Sequence, residues 1–271
     1  MPELPEVETT CCGLRPQLLQ QRITAVKIHN ANLRWPIPQT LKRQLPGQTI
    51  HNITRRAKYL LISVDSGQLI LHLGMSGSLR VLPLSAPRHR HEHFEIVLQN
   101  QQCLRLRDPR RFGAVLWGGP DALQHPLLAS LGPEPLSPAF HVAYMYQVSR
   151  QRQRAIRDLL LDSRIVSGIG NIYANEALFR AGIRPQTAAG KISMKRYTVL
   201  IEAVRHILQQ AIEAGGTTLR DFTQSDGNPG YFQQQLRVYG RDGQACPQCQ
   251  RPIRKQKLHG RTAYYCSNCQ R

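Results

Sequence analysis

Four of the seven cysteines stand in two close pairs near the end of the chain, Cys246-Pro-Gln-Cys249 and Cys266-Ser-Asn-Cys269. Two such pairs, here sixteen residues apart, are typical of a structural zinc site with four cysteine ligands. A redox dithiol is the alternative, but that chemistry needs a single pair in a thioredoxin-like context. Because four thiolates leave no position open for water, we predict that one Zn²⁺ folds the tail and takes no part in chemistry.

The first residues, Met1-Pro2-Glu3-Leu4-Pro5-Glu6, contain groups suited to attack on an aldehyde-like carbon. A small second residue normally allows Met1 to be removed, which would expose the secondary amine of Pro2. The pKa of an α-amino group is about 8, and the dipole of a following helix lowers it further, so the amine is a nucleophile at neutral pH. Glu3 and Glu6 would act as proton donor and electrostatic partner. The simpler alternative is that proline and acidic residues merely start a helix well.

Two helical patterns and a loop are predicted around these groups. Apolar residues that recur at helical spacing predict a helix over residues 3–20, which Pro16 is expected to kink or end. A longer apolar stripe predicts a helix over residues 197–212 that stops at Gly215-Gly216. Residues 216–235 are polar and predict a long loop, and long loops in compact domains are often mobile and functional.

The first half of the chain has the pattern of β-strands. Residues 59–64 and 68–73 flank a turn sequence and predict a hairpin, and residues 94–98 and 103–107 predict a second one. Several short strands with regular turns indicate a β-sandwich or barrel. Residues 118–140 are rich in proline and glycine, which is typical of a linker between this part and the helical part.

The charge balance favours a polyanionic partner. Lys and Arg number 36 against 17 Asp and Glu, giving a formal net charge of +19, and nucleic acid is the commonest polyanion in a cell. An acidic membrane surface is the weaker alternative, because no basic amphipathic helix of the interfacial kind is evident. No apolar stretch is long enough to span a bilayer, and the acidic first residues do not resemble a signal peptide, so we expect a cytoplasmic protein.

Several motifs, in one order along the whole chain, resemble the formamidopyrimidine-DNA glycosylase family. They include the zinc knuckles and the following segments: Pro2-Glu-Leu-Pro-Glu-Val-Glu-Thr9, Arg55-Arg-Ala-Lys-Tyr-Leu-Leu61, His72-Leu-Gly-Met-Ser-Gly77, Asp108-Pro-Arg-Arg-Phe-Gly113, Gly168-Ile-Gly-Asn-Ile-Tyr-Ala-Asn-Glu176, Asp226-Gly-Asn-Pro-Gly-Tyr-Phe232 and Val238-Tyr-Gly-Arg241. The related endonuclease VIII group starts differently after Pro-Glu and favours oxidised pyrimidines. The Leu4-Pro5 start and the segment from Asp226 to Phe232 therefore favour the purine branch.

The resemblance implies a multidomain α+β fold that binds DNA in a cleft. The expected parts are an N-terminal helix and β-sandwich (1–120), a linker (121–140), a helix-two-turn-helix domain (141–236) with a lesion-capping loop at about 217–235, and a zinc-finger β-hairpin (237–271). It also implies a bacterial, cytoplasmic monomer that repairs double-stranded DNA containing oxidised purines such as 8-oxoguanine and formamidopyrimidines. Its activities would be those of a DNA glycosylase and an AP lyase acting by β,δ-elimination through a Schiff base.

The resemblance further assigns roles to residues of this chain. As catalytic groups it implies Pro2 as nucleophile, Glu3 as proton donor, Lys58 for proton transfer near the 3′ phosphate and Arg261 for lesion phosphates and the last elimination, with Glu6 in support. Met75, Arg110 and Phe112 would fill the void left by the flipped base, with Arg110 pairing to the orphaned base. Further DNA contacts are expected from His91, Arg152, Asn171, Tyr173 and Arg241, and Arg220 and Tyr231 would lie near the flipped base in the capping loop.

Two positions depart from the family pattern. Ala57 stands where glycine is usual, which is expected to stiffen the turn before Lys58. Arg157 stands where lysine is usual, and we expect it to keep a phosphate contact with changed geometry.

Two other functions remain open at this stage. A zinc-ribbon protein that binds DNA without catalysis would explain the charge and the cysteines equally well, and the N-terminal proline separates it from a glycosylase. An enzyme like endonuclease VIII would differ only in substrate, and cleavage of 8-oxoguanine against thymine glycol would decide between the two.

Overall fold

The computed structural model describes residues 2–216 and 232–271. The chain divides into two compact units, Met1–Ser130 with Ala214–Gln233, and Leu131–Glu213 with Gln234–Arg271. The finer domain boundaries expected from the sequence stay predictions.

The first unit begins with helix α1 (Leu4–Leu18). Its start is fixed by a capping box, in which Glu3 is the N-cap and the Glu3 backbone N–H donates to Glu6 Oε2 at 2.8 Å. Pro16 lies in the last turn, two residues before the helix ends, which agrees with the helix stop expected there. The buried face packs against the strands that follow.

In the part of this unit that the structure describes, eight strands form two antiparallel sheets. The strands are β1 (Ile23–Ile28), β2 (Ile50–Arg56), β3 (Tyr59–Val64), β4 (Gly67–His72), β5 (Ser78–Pro83), β6 (Glu92–Leu98), β7 (Gln102–Arg107) and β8 (Ala114–Trp117). The first sheet has the order β1-β6-β7-β5 and the second has the order β2-β3-β4-β8. Both predicted hairpins are confirmed, as the β3–β4 and β6–β7 pairs. A short helix, α2 (Leu41–Gln44), follows β1.

One hydrophobic core lies between the two sheets. It combines apolar side chains of α1, such as Val7 and Leu14, with those of one sheet, such as Ile62, and of the other, such as Phe94. Each of these four residues is fully buried. Two sheets that share one core are a β-sandwich, so the sandwich expected from the sequence is confirmed and the barrel is not formed.

The second unit is mainly helical. Its helices are α4 (Val142–Ser149), α5 (Ile156–Leu160), α6 (Asn171–Arg180) and α7 (Met194–Glu213), and a short helix of the first unit, α3 (Pro126–Ala129), precedes them in the chain. Residues 161–170 join α5 to α6 through turns, as in a helix-two-turn-helix motif. The predicted apolar stripe is the buried face of α7, and α6 and α4 pack against it.

A β-hairpin of strands β9 (Arg254–Leu258) and β10 (Arg261–Tyr265) completes this unit. A small core contains Phe179, Val238 and Ile253 together with two cysteines of the tail, and the other two cysteines pack against it. Residues 232–235, at the end of the predicted capping loop, form a 3-10 helix. In the two described ranges, no helix combines the length and the hydropathy required to cross a bilayer.

Candidate active site and metal centre

Pro2 is buried immediately before α1, next to the two acidic residues predicted to assist it. Glu3 and Glu6 are each 2% exposed. Because the Glu6 carboxylate accepts the Glu3 backbone N–H, it fixes the first turn of the helix and the residue that follows Pro2. The structure therefore gives Glu6 a positioning role and places the Pro2 nitrogen at the positive end of the α1 dipole.

Lys58 lies in the two-residue turn between β2 and β3. Ala57 has a φ of +54° in this turn, a left-handed conformation that glycine adopts more easily than alanine. Arg55 stabilises the turn, because its Nη1 donates to Ala57 O at 3.0 Å and its Nε donates to Glu8 Oε2 at 2.8 Å. Since Glu8 belongs to α1, these bonds tie the turn of Lys58 to the helix that Pro2 precedes.

His72 was given no role from the sequence, yet it lies beside Lys58. It ends β4 opposite Tyr59, whose ring centroid is 4.8 Å from that of His72. Burial, followed by the positive charges of Lys58 and Arg34, lowers the pKa of His72 to about 4. Its Nδ1 accepts the backbone N–H of Gly74 at 3.0 Å, so His72 is neutral at pH 7 with the proton on Nε2. The sequence offered one signal for His72: it lies near the end of the predicted strand that pairs with the strand following Lys58.

The lowered pKa predicts that acid destabilises the first unit through His72. The folded state disfavours the charged imidazole, so the full stability is present above pH 6.5 and falls as the pH drops towards 4. At ~1.4 kcal/mol per pKa unit, the loss reaches about 3 kcal/mol. Denaturant unfolding at pH 7 and pH 4.5 measures it. The control is His72→Asn, which keeps an acceptor for the Gly74 amide but does not titrate. Equal acid sensitivity in both proteins would show that another group is responsible.

The residues predicted to fill the void come from two loops that touch each other. Met75 follows Gly74 in the loop between β4 and β5, and a Cβ on Gly74 would lie 2.5 Å from the backbone of Phe112. Phe112 is 44% exposed, and the Arg110 guanidinium lies 4.8 Å from the centre of its ring. The structure therefore places the loop that contains Met75 against the loop that presents Arg110 and Phe112.

Asp108 holds the loop that carries Arg110 and Phe112. Its buried carboxylate accepts the backbone N–H of Gly113 at 2.7 Å and that of Arg110 at 3.3 Å. The Asp108 N–H donates to the carbonyl of His91 at 2.9 Å, which brings His91 to the same loop. An exposed aromatic ring and a guanidinium on a rigid loop are suited to stacking with bases.

Arg34 was also missed from the sequence. A cleft of about 500 Å³ beside the loop is lined by Asn32, Leu33, Arg34, Arg110, Arg111 and Phe112. The Arg34 guanidinium stacks on the ring of Trp35 at 4.8 Å. Three arginines around one cleft make it a basic surface suited to phosphate.

In the second unit, the start of α6 is attached to the zinc-finger hairpin. Gly170 is the N-cap of α6, and Asn171 Nδ2 donates to Thr262 O of β10 at 2.9 Å. Asn175 Oδ1 accepts the Tyr264 N–H at 2.8 Å. Tyr173 is 1% exposed, so its side chain is part of the core of this unit. The phosphate contacts expected of Asn171 and Tyr173 stay predictions, and the positive end of the α6 dipole supports them.

Glu176 connects α6 to the segment before the zinc knuckles and was not singled out from the sequence. Its buried carboxylate accepts the backbone N–H groups of Arg237, Val238 and Tyr239 at 2.8–2.9 Å. Burial raises the pKa of Glu176, and the three donors oppose that rise. Further along this segment, Arg241 donates to Gln244 Oε1 and to nearby backbone carbonyls. Its expected phosphate contact stays a prediction, as does that of the exposed Arg152.

The four cysteine sulfurs of the tail form a single cluster. The sulfurs of Cys246, Cys249, Cys266 and Cys269 all lie within 4.8 Å of one another, with Cys249 and Cys266 at 3.4 Å and Cys246 and Cys269 at 3.8 Å. Four sulfurs at about 2.3 Å from a tetrahedral Zn²⁺ are about 3.8 Å apart. The donor set and its dimensions therefore fit a structural Zn²⁺, as predicted from the spacing.

The prediction for Arg157 was wrong. Arg157 is fully buried, and its guanidinium donates to Asp158 Oδ1 and to the backbone carbonyls of Leu258 and Arg261. A side chain whose nitrogens are used inside the protein cannot also bind phosphate. Arg261, which follows the hairpin turn, is exposed as the prediction requires. Arg220 and Tyr231, predicted for the capping loop, lie outside the described residues.

Comparison with known proteins identifies the family. A model of the formamidopyrimidine-DNA glycosylase N-terminal domain matches residues 1–115, and a model of the H2TH domain of the same enzyme matches residues 131–223. A formamidopyrimidine-DNA glycosylase from Idiomarina loihiensis is 51% identical over 271 residues and covers 100% of both chains. The chain belongs to the formamidopyrimidine-DNA glycosylase family.

Solved structures of this family have the same fold as this chain. A Lactococcus lactis Fpg mutant bound to DNA containing Fapy-dG matches with a TM-score of 0.93 and 33% identity, covering 99% of both chains. The Lactococcus lactis Fpg bound to DNA with an abasic site matches with a TM-score of 0.92 and 34% identity over the same share. The protein is a bifunctional DNA glycosylase and AP lyase that removes oxidised purines from damaged duplex DNA in base excision repair, and its cysteine cluster is the structural zinc site of the Fpg zinc finger.

Proposed function

We propose that Pro2 is the nucleophile of both reactions. The observation that carries this proposal is the set of hydrogen bonds that holds the residues next to Pro2 in place. The capping box fixes the turn that follows Pro2, and the bonds from Glu8 through Arg55 to Ala57 tie the same helix to the turn of Lys58. Because the same hydrogen bonds hold the nucleophile Pro2 and the cationic Lys58, the two groups need little reorganisation before they react with a bound substrate.

The steps follow from the chemistry of a secondary amine. The Pro2 nitrogen attacks C1′ of the damaged nucleotide, the bond from C1′ to the base breaks, and the base leaves with the electron pair and takes up a proton. Glu3, directly beside the amine, supplies a proton to the sugar or the leaving group. The Pro2 nitrogen then loses its proton, the bond from C1′ to O4′ breaks, O4′ takes up a proton, and the nitrogen electron pair forms the C=N bond of an iminium. This iminium is permanently cationic and withdraws electrons, which makes the 2′ proton acidic.

Elimination then cuts the strand on both sides of the lesion. Loss of the 2′ proton expels the 3′ phosphate, and a second elimination expels the 5′ phosphate, leaving a gap of one nucleotide. Lys58 transfers protons near the 3′ phosphate, and Arg261 binds the lesion phosphates and assists the last elimination. Zn²⁺ contributes the fold of the hairpin that carries Arg261 and supplies no chemistry to these steps.

The DNA contacts follow from exposed and charged groups. Met75 and Phe112 enter the gap left by the flipped base, and Arg110 pairs with the base opposite. The side chains of His91, Arg152 and Arg241 contribute to phosphate binding, and Asn171 and Tyr173 contribute through the N-terminus of α6. The segment with Arg220 and Tyr231 covers the extruded base. The protein acts as a monomer in the bacterial cytoplasm, where its DNA substrate lies.

Borohydride trapping tests the nucleophile. Reduction of the iminium on a duplex with 8-oxoguanine should yield a covalent adduct between protein and DNA, and mass measurement after proteolysis should locate it on Pro2 of a chain that lacks Met1. An adduct on a lysine would contradict the assignment. A chain that retains Met1 and is fully active would contradict it as well, because the nitrogen of Pro2 would then be an amide.

A further inference from the structure

The turn of the zinc-finger hairpin is strained at one residue. His259 and Gly260 form a two-residue turn between the paired residues Leu258 and Arg261, and their φ angles are +41° and +81°. Positive φ at both positions is typical of a type I′ hairpin turn, for which asparagine and glycine are favoured. Gly260 adopts it freely, whereas a histidine there is disfavoured by about 1 kcal/mol. The conformation of His259 therefore needs support from outside the turn.

Helix α5 supplies part of that support through Arg157. Its Nη1 donates to Arg261 O at 3.0 Å and its Nη2 donates to Leu258 O at 2.7 Å. These are the carbonyls of the two residues that flank the turn, one on each strand. Because Arg157 is completely buried, it has little freedom to move, and it fixes both strand ends where the hairpin reverses.

Asp158 supplies the other part. Its carboxylate is nearly buried, with Oδ1 accepting from Arg157 Nε at 3.0 Å and from Nη2 at 2.6 Å. Its Oδ2 contacts Nδ1 of His259 at 2.5 Å. The imidazole is otherwise largely exposed, since 78% of the side chain is accessible to solvent. One carboxylate thus holds both the arginine that anchors the strands and the histidine that occupies the strained position.

We propose that Asp158 and His259 are positioning residues, which together with Arg157 clamp the hairpin turn and so aim the side chain of Arg261. This proposal rests on the proposed function, because it acts through the phosphate contact assigned to Arg261. Strand β9 is exposed along most of its length, so packing holds this strand weakly. A displacement of about 1 Å at a group that binds the transition state lowers a rate by up to about 100-fold.

The first test is the exposed variant His259→Ala, which leaves the buried pair of Arg157 and Asp158 intact. Single-turnover assays should show the δ-elimination rate and the affinity for a duplex with a tetrahydrofuran abasic site falling about five- to tenfold. His259→Asn should recover most of that loss, because asparagine adopts positive φ readily. Lys257→Ala is the matched control for the loss of a basic side chain from the hairpin. Zinc content and melting temperature should be unchanged in all three.

A double-mutant cycle shows whether the clamp acts through Arg261. If it does, His259→Ala should change little in a protein that already has Arg261→Ala, whereas independent effects would multiply. Multiplying effects, or no effect of His259→Ala alone, would overturn the clamp. If Arg261→Ala itself left δ-elimination and binding intact, the role proposed for Arg261 would be wrong instead. Asp158→Asn, measured as the zinc-bound protein, can replace His259→Ala in the same double-mutant cycle.

Discussion

Replacing Pro2 with glycine should lower the single-turnover rate of base release by about 100-fold or more, while the affinity for damaged duplex changes by no more than about threefold. Glycine keeps an α-amine at the same place, but a primary amine forms an imine that must gain a proton before it withdraws electrons. Proline forms a permanent cation instead. The lost interaction thus belongs to the transition state and not to the bound substrate, which is why rate and affinity should separate.

The matched control for this variant is Pro5→Ala. Pro5 lies in the first turn of the same helix and is buried like Pro2, yet its nitrogen is part of a peptide bond. We expect Pro5→Ala to retain base release and borohydride trapping within about threefold of the parent, because alanine is a good helix former. If Pro2→Gly and Pro5→Ala lost activity equally, the effect would come from the helix start and not from the amine.

Replacing Cys266 with serine should remove the bound zinc and lower the affinity for duplex DNA by about 100-fold or more. Structural Zn²⁺ sites supply ~10–16 kcal/mol of apparent binding free energy, which here would fold the tail. Cys266 is fully buried in the small core with Phe179 and Ile253. Without the metal, the hairpin loses the geometry that presents basic side chains such as Arg261, and each lost phosphate contact weakens binding. Zinc stoichiometry and fluorescence anisotropy measure the two effects.

Cys12→Ser provides the control for this experiment. Cys12 is an exposed cysteine on α1, outside the cluster, so its replacement should change neither zinc content nor affinity. Removing zinc from the parent protein with a chelator should lower its DNA affinity as much as Cys266→Ser does. The same treatment should not lower the affinity of the Cys266→Ser variant further. Wild-type affinity in a zinc-free protein would show that the hairpin is dispensable for DNA binding.

Local patterns predicted the elements of this fold well. Strand-like segments that flank short turn sequences located the hairpins β3–β4 and β6–β7, because a hairpin is formed by neighbouring parts of the chain. The apolar stripe of α7 was equally clear, since it forms one face at helical spacing. The cysteine spacing predicted the metal cluster, because a zinc knuckle is defined by a few consecutive residues.

Charged residues in the interior were beyond local patterns. Arg105 lies in β7 at 4% exposure, and its Nε donates to Glu95 Oε2 at 2.6 Å across the sheet. Arg157 was expected to contact phosphate at the surface, because arginine is rarely buried without a partner. Its partners, the carbonyls of Leu258 and Arg261, are about a hundred positions away in the chain.

The amino-acid sequence by itself determined the zinc ligands, the order of strands and helices, and the chemistry available at Pro2, since each depends on residue type and short spacing. Only the tertiary structure decided that Glu6 fixes the start of α1, that His72 stays neutral beside Lys58, and that Arg157 and Asp158 hold the turn before Arg261. The physical reason is that burial and electrostatic interaction depend on distances in space, which the packing of remote segments sets.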